Sequence, residues 1–368
     1  MESLERYIPQ EIVELIIQFA AVDGWALPNL CLVSSRFLIG SQKHLYRRID
    51  FIEPRFWGGR PLEDIWKVSV EQGLLFLITI TRLNPSLAQH LRIFYFNPSF
   101  QFRDRIFWEF INRGLRVMTN LKTLIFTSVE SSGMPRMRTL LWKCRFQLEE
   151  FRWNDFKFRD PKGDLAFFLS FQPELKVLSI ISYDSLPPHV CPKLEKVIGY
   201  RKSVENMLLG RSVTRLEWLA RADWWDQHRD KPPDEITKEL SQLTSLIYGG
   251  YHIQRSGLEL VIPHLKSLEV LHLVGFYSEY EFAHLVKLEK LRVFIWTSAY
   301  PGDDQQSRLE VLTPGVPGLF RNMKNLHSVY VNHCGGRHTP KNYLYWTSAD
   351  VEAVTVDPPM HLFDWPSG

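Results

Sequence analysis

The sequence predicts an α/β chain: a short N-terminal helical module, then strand–turn–helix units with a parallel sheet inside and helices outside. Three observations predict it. The first segments, up to Ile49, are short, helical in period and apolar around most of their circumference. From Leu91 onward the pattern L-x-x-L-x-L recurs, with other apolar residues allowed for Leu. Amphipathic stretches of helical period fill the gaps between its occurrences. A split α/β domain with a non-solenoid sheet is the alternative arrangement of the same elements.

The N-terminal stretch runs from Ile8 to Ile49. Pro9 suits the first position of a helix, where its missing N–H costs nothing. Glu11 sits in the first turn, where the helix dipole favours negative charge. Ile12, Leu15, Ile16 and Phe19 then recur at helical spacing, and Val13, Ile17 and Ala20 make most of the remaining circumference apolar. Gln10, Glu14 and Gln18 form one narrow polar stripe. A helix this apolar must be buried on two sides. Asp23-Gly24 breaks it, and further apolar segments follow at Leu27 to Val33 and Phe37 to Tyr46. About forty residues cannot bury all of this, so part of the surface is owed to the rest of the chain or to another protein.

These residues resemble an F-box, the helical module by which substrate receptors dock onto a Skp-family adaptor in cullin-based (SCF-type) ubiquitin ligases. The resemblance lies in Ile8-Pro9-x-Glu11-Ile12, Leu15-Ile16, Leu30-x-Leu32-Val33-Ser34-x-Arg36-Phe37 and the exit Leu45-Tyr46-Arg47-Arg48-Ile49. The usual opening Leu-Pro is Ile8-Pro9 here. It implies a three-helix module over 1–52 whose adaptor-facing residues are Ile8, Pro9, Ile12, Ile16, Leu30, Val33 and Ser34. An ordinary helical cap on a larger fold is the other reading of the same segments.

Phe51 to Asp64 carries Pro54, Gly58-Gly59 and Pro61 and reads as a linker, 53–64, ahead of a domain over 65–368. Ile65 to Leu83 reads as one helix ended by Asn84-Pro85, and Leu87 to His90 as a helical turn. The L-x-x-L-x-L pattern starts at Leu91, Leu121, Leu148, Leu175, Leu194, Val213, Leu243, Leu268, Leu288, Leu326 and Val351. The starts fall 19 to 38 residues apart, quasi-regular near the length of a leucine-rich repeat. The second position is nearly always polar, as in LKTL, LEEF and LEVL. Helices are expected at Asp104–Met118, Pro135–Phe146, Asp164–Phe171, Pro233–Leu243, Ser256–Leu265, Glu279–Leu288 and Val316–Leu326. The series resembles the degenerate leucine-rich repeats of F-box receptors. It departs at the ninth repeat position, where only Cys334 matches the usual Asn or Cys, and Gly199 interrupts the fifth repeat. An irregular arc is therefore expected. Met360, Leu362, Phe363 and Trp365 would cap its open end.

A net charge of +3 over 368 residues makes no case for nucleic acid. The four cysteines show no ligand spacing, and a reducing compartment, cytoplasm or nucleus, is the simplest reading. No signal peptide or membrane-spanning run is found. The chain also lacks a G-x-S-x-G elbow, a Walker loop, an HExxH motif and a Gly-rich dinucleotide turn. The expectation is a non-catalytic receptor subunit with no cofactor and no metal, a Skp-family adaptor and through it a cullin as partners, and an unidentified protein substrate. A non-ligase F-box scaffold is the alternative, and a hydrolase or transferase capped by its N-terminal helices a third.

Side chains alternate along a strand, so in each repeat the third, fifth and seventh positions should face outward, on the concave side. Counting from Leu268, Leu288 and Leu326 aligns His272, Arg292 and Tyr330 in one row, with Lys290 beside it. Such a row suits an acidic or phosphorylated segment. A second candidate is Trp224-Trp225 in the long polar connection Arg221 to Asp234. A second long connection, Ala299 to Pro317, reads as an excursion.

Overall fold

A computed structural model describes residues 8–23, 26–52, 67–68, 70–97, 105–128, 137–155, 163–180, 186–219, 234–249, 258–274, 280–297, 315–333, 342–348 and 354–356. Trp224, Trp225, the 53–64 segment, most of 299–317 and the C-terminal apolar residues lie outside them. The chain divides into two compact units, Met1–Lys193 and Leu194–Gly368. Both are α/β and built on mostly parallel sheet. No helix among the described residues is long and apolar enough to cross a membrane.

The first unit opens with helices α1 (Gln10–Asp23), α2 (Leu27–Leu30) and α3 (Ser35–Leu45). Strand β1 (Arg48–Ile52) follows at once, so the Tyr46-Arg47-Arg48-Ile49 exit feeds directly into the sheet. Strand β2 (Lys67–Val68) pairs with one side of β1, and β3 (Ile93–Asn97) with the other. Then β4 (Thr123–Ser128), β5 (Glu150–Asp155) and β6 (Val177–Ile180) add in order, all parallel. Helices α4 (Val70–Ile78), α5 (Arg105–Val117), α6 (Met137–Leu141) and α7 (Asp164–Ser170) supply the crossovers between them.

The pattern positions explain the packing. First, fourth and sixth residues of each unit are buried: Leu91, Phe94 and Phe96; Leu121, Leu124 and Phe126; Leu148, Phe151 and Trp153; Leu175, Leu178 and Ile180. Aromatic rings run through this core from strand to strand, with Phe96 and Phe126 centroids 5.2 Å apart and Phe126 and Trp153 4.9 Å apart. The polar second position has a backbone task. Its N–H donates to the carbonyl of the equivalent residue one strand back: Lys122 to Arg92, Glu149 to Lys122 and Lys176 to Glu149, each at 2.8 Å. Its side chain is thereby held at the sheet's N-terminal rim, facing water.

Ile65 to Leu83 is not the single helix its pattern suggests. Its described residues form β2, then α4, and end in a π turn, Thr79–Leu83. Thr79 and Thr81 donate their hydroxyls to the carbonyls of Leu75 and Leu77, at 2.8 and 2.6 Å. Such back-bonding competes with the helical ladder. The Asn84 N–H then reaches the Thr79 carbonyl, five residues back, at 2.7 Å.

The second unit runs β7 (Lys196–Tyr200), α8 (Arg201–Leu208), β8 (Arg215–Leu219), α9 (Thr237–Leu240), β9 (Ser245–Gly249), α10 (Leu258–Val261) and β10 (Val270–Val274). It continues with α11 (Tyr280–Leu285), β11 (Val293–Thr297), α12 (Val316–Asn322), β12 (Ser328–His333), β13 (Asn342–Thr347) and β14 (Val354–Val356). Strands β7 to β12 pair in order and parallel. The last two, β13 and β14, turn antiparallel. Helix α8 carries no sequence signal for a start, because Tyr200 at its N-cap offers no side-chain bond.

One repeat is displaced from its expected start. Leu288, Leu291 and Val293 fit L-x-x-L-x-L, but so do Leu291, Phe294 and Trp296. The fold takes the second set: Phe294 is fully buried and pairs with Leu271, and Trp296 is buried and pairs with Leu273. Burying two aromatic side chains outweighs burying a Leu and a Val. A shift of three residues is odd, so every side chain changes face.

Candidate docking surface

Helix α1 starts where Pro9 ends, and the Pro9 carbonyl accepts from the N–H groups of Ile12 and Val13 at 3.1 and 3.2 Å. One face of α1 closes a small core of Val13, Ile17, Leu27 and Phe37, with Ile8, Ala20, Ala21, Leu30 and Leu45 packed against it. Gly40 lets α3 approach α1; a Cβ there would run into the Ile17 side chain. Arg36 joins the two helix starts. Its guanidinium donates to the Ile8 carbonyl at 3.0 Å and to Gln10 Oε1 at 2.9 Å. The Ser34 hydroxyl caps α3 by accepting from the Phe37 N–H.

The second apolar face of α1 is open. Ile12, Leu15, Ile16, Phe19 and Val22 lie along it, from 39% exposed at Ile16 to 82% at Val22. This is the i, i+3, i+4, i+7 stripe of an amphipathic helix, here without a partner among the described residues. The turn after α2 adds Leu32 and Val33, 85% and 61% exposed. Scattered exposed apolar residues need no explanation, but a stripe on one helix face marks an interaction site.

The expected docking residues divide accordingly. Ile12, Ile16 and Val33 are exposed with Pro9 on the surface. Ile8 and Leu30 are half-buried against the module's own core, and Ser34 serves as a helix cap. Leu15, Phe19, Val22 and Leu32 also belong to the surface, outside the seven expected docking residues, although the helical spacing aligns the first two with Ile12.

The expected basic row on the strands of the second unit does not form. His272 pairs with Ile295, and Ile295 with Tyr330. Arg292 precedes β11 at the rim, its guanidinium 3.9 Å from the Glu269 carboxylate, and Lys290 lies exposed in the preceding turn. The face of that row is apolar and covered: Ile247, Ile295 and Tyr343 are buried, with Val270, Val274, Val293 and Tyr330 packed around them. His272 is itself 5% exposed and shares a 2.8 Å hydrogen bond through Nε2 with the Thr297 hydroxyl, which lies 3.1 Å from the Tyr343 hydroxyl. Thr297→Val removes the shared partner without changing shape. It is expected to lower stability by about 1–3 kcal/mol, read as the denaturant midpoint.

The described cysteines are poorly placed as nucleophiles. Burial pushes the Cys144 thiol up to about 12, and desolvation raises Cys31 as well, despite a bond from Ser41. Cys191 is buried against the Leu169 carbonyl. Iodoacetamide at mildly alkaline pH is therefore expected to label Cys144 of the folded chain far more slowly than a free thiol, as mass spectrometry of the alkylated peptides would show. Neither a family model nor a curated protein matches this chain.

Proposed function

We propose that the chain is the substrate-recognition subunit of an SCF-type ubiquitin ligase. The N-terminal helices act as an F-box that docks a Skp-family adaptor through the open face of α1 and the turn after α2. The parallel strands and intervening helices act as degenerate leucine-rich repeats that hold a protein substrate. Such a receptor performs no bond chemistry. It raises the local concentration of a substrate lysine near the ubiquitin-charged enzyme.

One observation carries the reading: α1 is apolar on two sides, and the chain's described residues cover only one of them. The uncovered side includes Ile12 and Ile16, and the turn after α2 adds Val33, three of the residues to which the F-box resemblance assigns adaptor contact. The test mixes the purified chain with a purified Skp-family adaptor and reads complex formation by calorimetry. A one-to-one complex is expected, and no heat at micromolar concentrations would remove the reading. Adaptor-dependent ubiquitylation of a bound partner then separates a ligase receptor from an F-box scaffold, which would bind the adaptor without transferring ubiquitin.

A further inference from the structure

A groove of about 490 Å³ lies in the first unit between the end of α3 and the N-terminal rim of the sheet. Its walls carry Lys43, His44, Arg47, His90, Arg92 and Lys122. Ile93 and Thr123 also line it, and Glu149 is its single carboxylate. Three of the cations occupy successive rungs of the rim. The Arg92 N–H donates to the Arg47 carbonyl and the Lys122 N–H to the Arg92 carbonyl, both at 2.8 Å. Neighbouring strands are about 4.8 Å apart, so Arg47, Arg92 and Lys122 form a short ladder of like charge.

Other rim cations of each unit have carboxylates beside them. Glu149 sits between Lys122 and Lys176, at 3.4 and 3.3 Å, and Glu269 faces Arg292. Lys122 shares the Glu149 carboxylate, but toward Arg92 and Arg47 the compensation stops. Lys43 and Arg47 have no carboxylate partner among the described residues. The dipole of α3 favours Lys43 and His44 at its C-terminal end, but it does not account for the convergence of Arg47 and Arg92 on the same space. The crowding registers on the imidazoles. Desolvation, then Arg47 and Lys43, lower the His44 pKa; desolvation, then Lys43 and Arg92, lower that of His90. The Arg92 side chain is tethered at the groove wall, its guanidinium donating to the Asn120 carbonyl at 2.8 Å.

We propose that this groove binds the phosphate of a phosphorylated protein segment. Clustered guanidinium and ammonium donors are the chemistry that recognises such a group. At one end Glu149, held between Lys122 and Lys176, interrupts the run of cations that a continuing polyanion would need. No Phe, Tyr or Trp lines it, the large rings on which single-stranded nucleic acid stacks its bases. Its concavity is wrong for a flat membrane surface. The inference goes beyond adaptor docking and does not depend on it.

The test uses the full chain and a fluorescein-labelled Gly/Ala peptide carrying two phosphoserines. Its unphosphorylated form, an oligothymidylate and anionic lipid vesicles serve as competitors. The phosphopeptide is expected to bind at least about tenfold more tightly than its unphosphorylated form, weakening as salt rises. Lys43→Glu combined with Arg47→Glu should remove that preference while melting temperature and adaptor binding hold. A second readout is the imidazole titration followed by NMR with and without inorganic sulfate, which keeps its charge over this range. The groups facing His44 and His90 are Lys43, Arg47, Arg92, Lys122 and Glu149, and sulfate among them should raise both pKa values. Equal binding of both peptides, unchanged binding by the double variant, or unmoved imidazole titrations would overturn the proposal. So would preferential capture of the oligothymidylate or the vesicles.

Discussion

Replacing Ile12 and Ile16 together by Asp is expected to weaken adaptor binding by about a hundredfold or more, since two buried interface anchors are each worth about 2 kcal/mol. The folded chain should hardly notice. Both side chains are substantially exposed, at 44% and 39%, so the change sits on a surface where substitutions usually cost within about 0.5 kcal/mol. Ile17→Ala is the contrast. Ile17 is 2% exposed in the module's core, and its truncation should cost about 2–5 kcal/mol of local stability. Calorimetry against the purified adaptor and thermal melting of each variant separate the two effects. Loss of binding with melting intact supports docking through the open face. Wild-type affinity in the double Asp variant would sink that assignment, whatever the helices resemble.

The strands of the repeat series were legible because their spacing puts apolar residues at fixed intervals, and burial at the first, fourth and sixth positions follows from strand alternation. Two features escaped that logic. Tyr46, Ile49 and Phe51 form a rung of the same kind, but the long gap before Leu91 hides it, and the helical segments just upstream invite a helical reading. At Leu288 and Leu291 two registers satisfy the pattern equally, and only aromatic volume chooses between them. That choice dissolved the expected basic row, because an odd shift exchanges core and surface. The phosphate groove was invisible for another reason. Its cations come from segments around residues 43–47, 90–92 and 122, and only pairing of β1, β3 and β4 brings them together. The polar second position was visible in sequence; that it builds a rim became clear only from the backbone ladder. The open stripe on α1 needed least help, since the helix carries too much apolar surface for one side.

Gly73→Ala is expected to lower the stability of the first unit by about 1–3 kcal/mol, the usual cost of overpacking a well-filled core. Helix propensity alone argues the opposite way, since Ala improves on Gly by about 1 kcal/mol inside a helix. Packing decides the sign. Gly73 is buried in α4, and a Cβ there would overlap the Phe51 ring at several atoms. That ring has little room to retreat. It belongs to β1, is 4% exposed, and packs on Phe94 and Phe96 with centroids 5.3 and 5.8 Å away. Either the ring or the helix must shift, and the sheet rung behind Phe51 is tied by the full β1–β3 register. For a unit of this size each kcal/mol corresponds to about 2–4 °C in Tm, so calorimetric melting resolves the change. Phe51→Leu alone should also destabilise, by removing aromatic contacts. In the double variant, however, the added methyl meets a smaller neighbour, and the two costs should sum to more than the measured loss. A double-mutant cycle showing strict additivity would mean that α4 does not rest on Phe51.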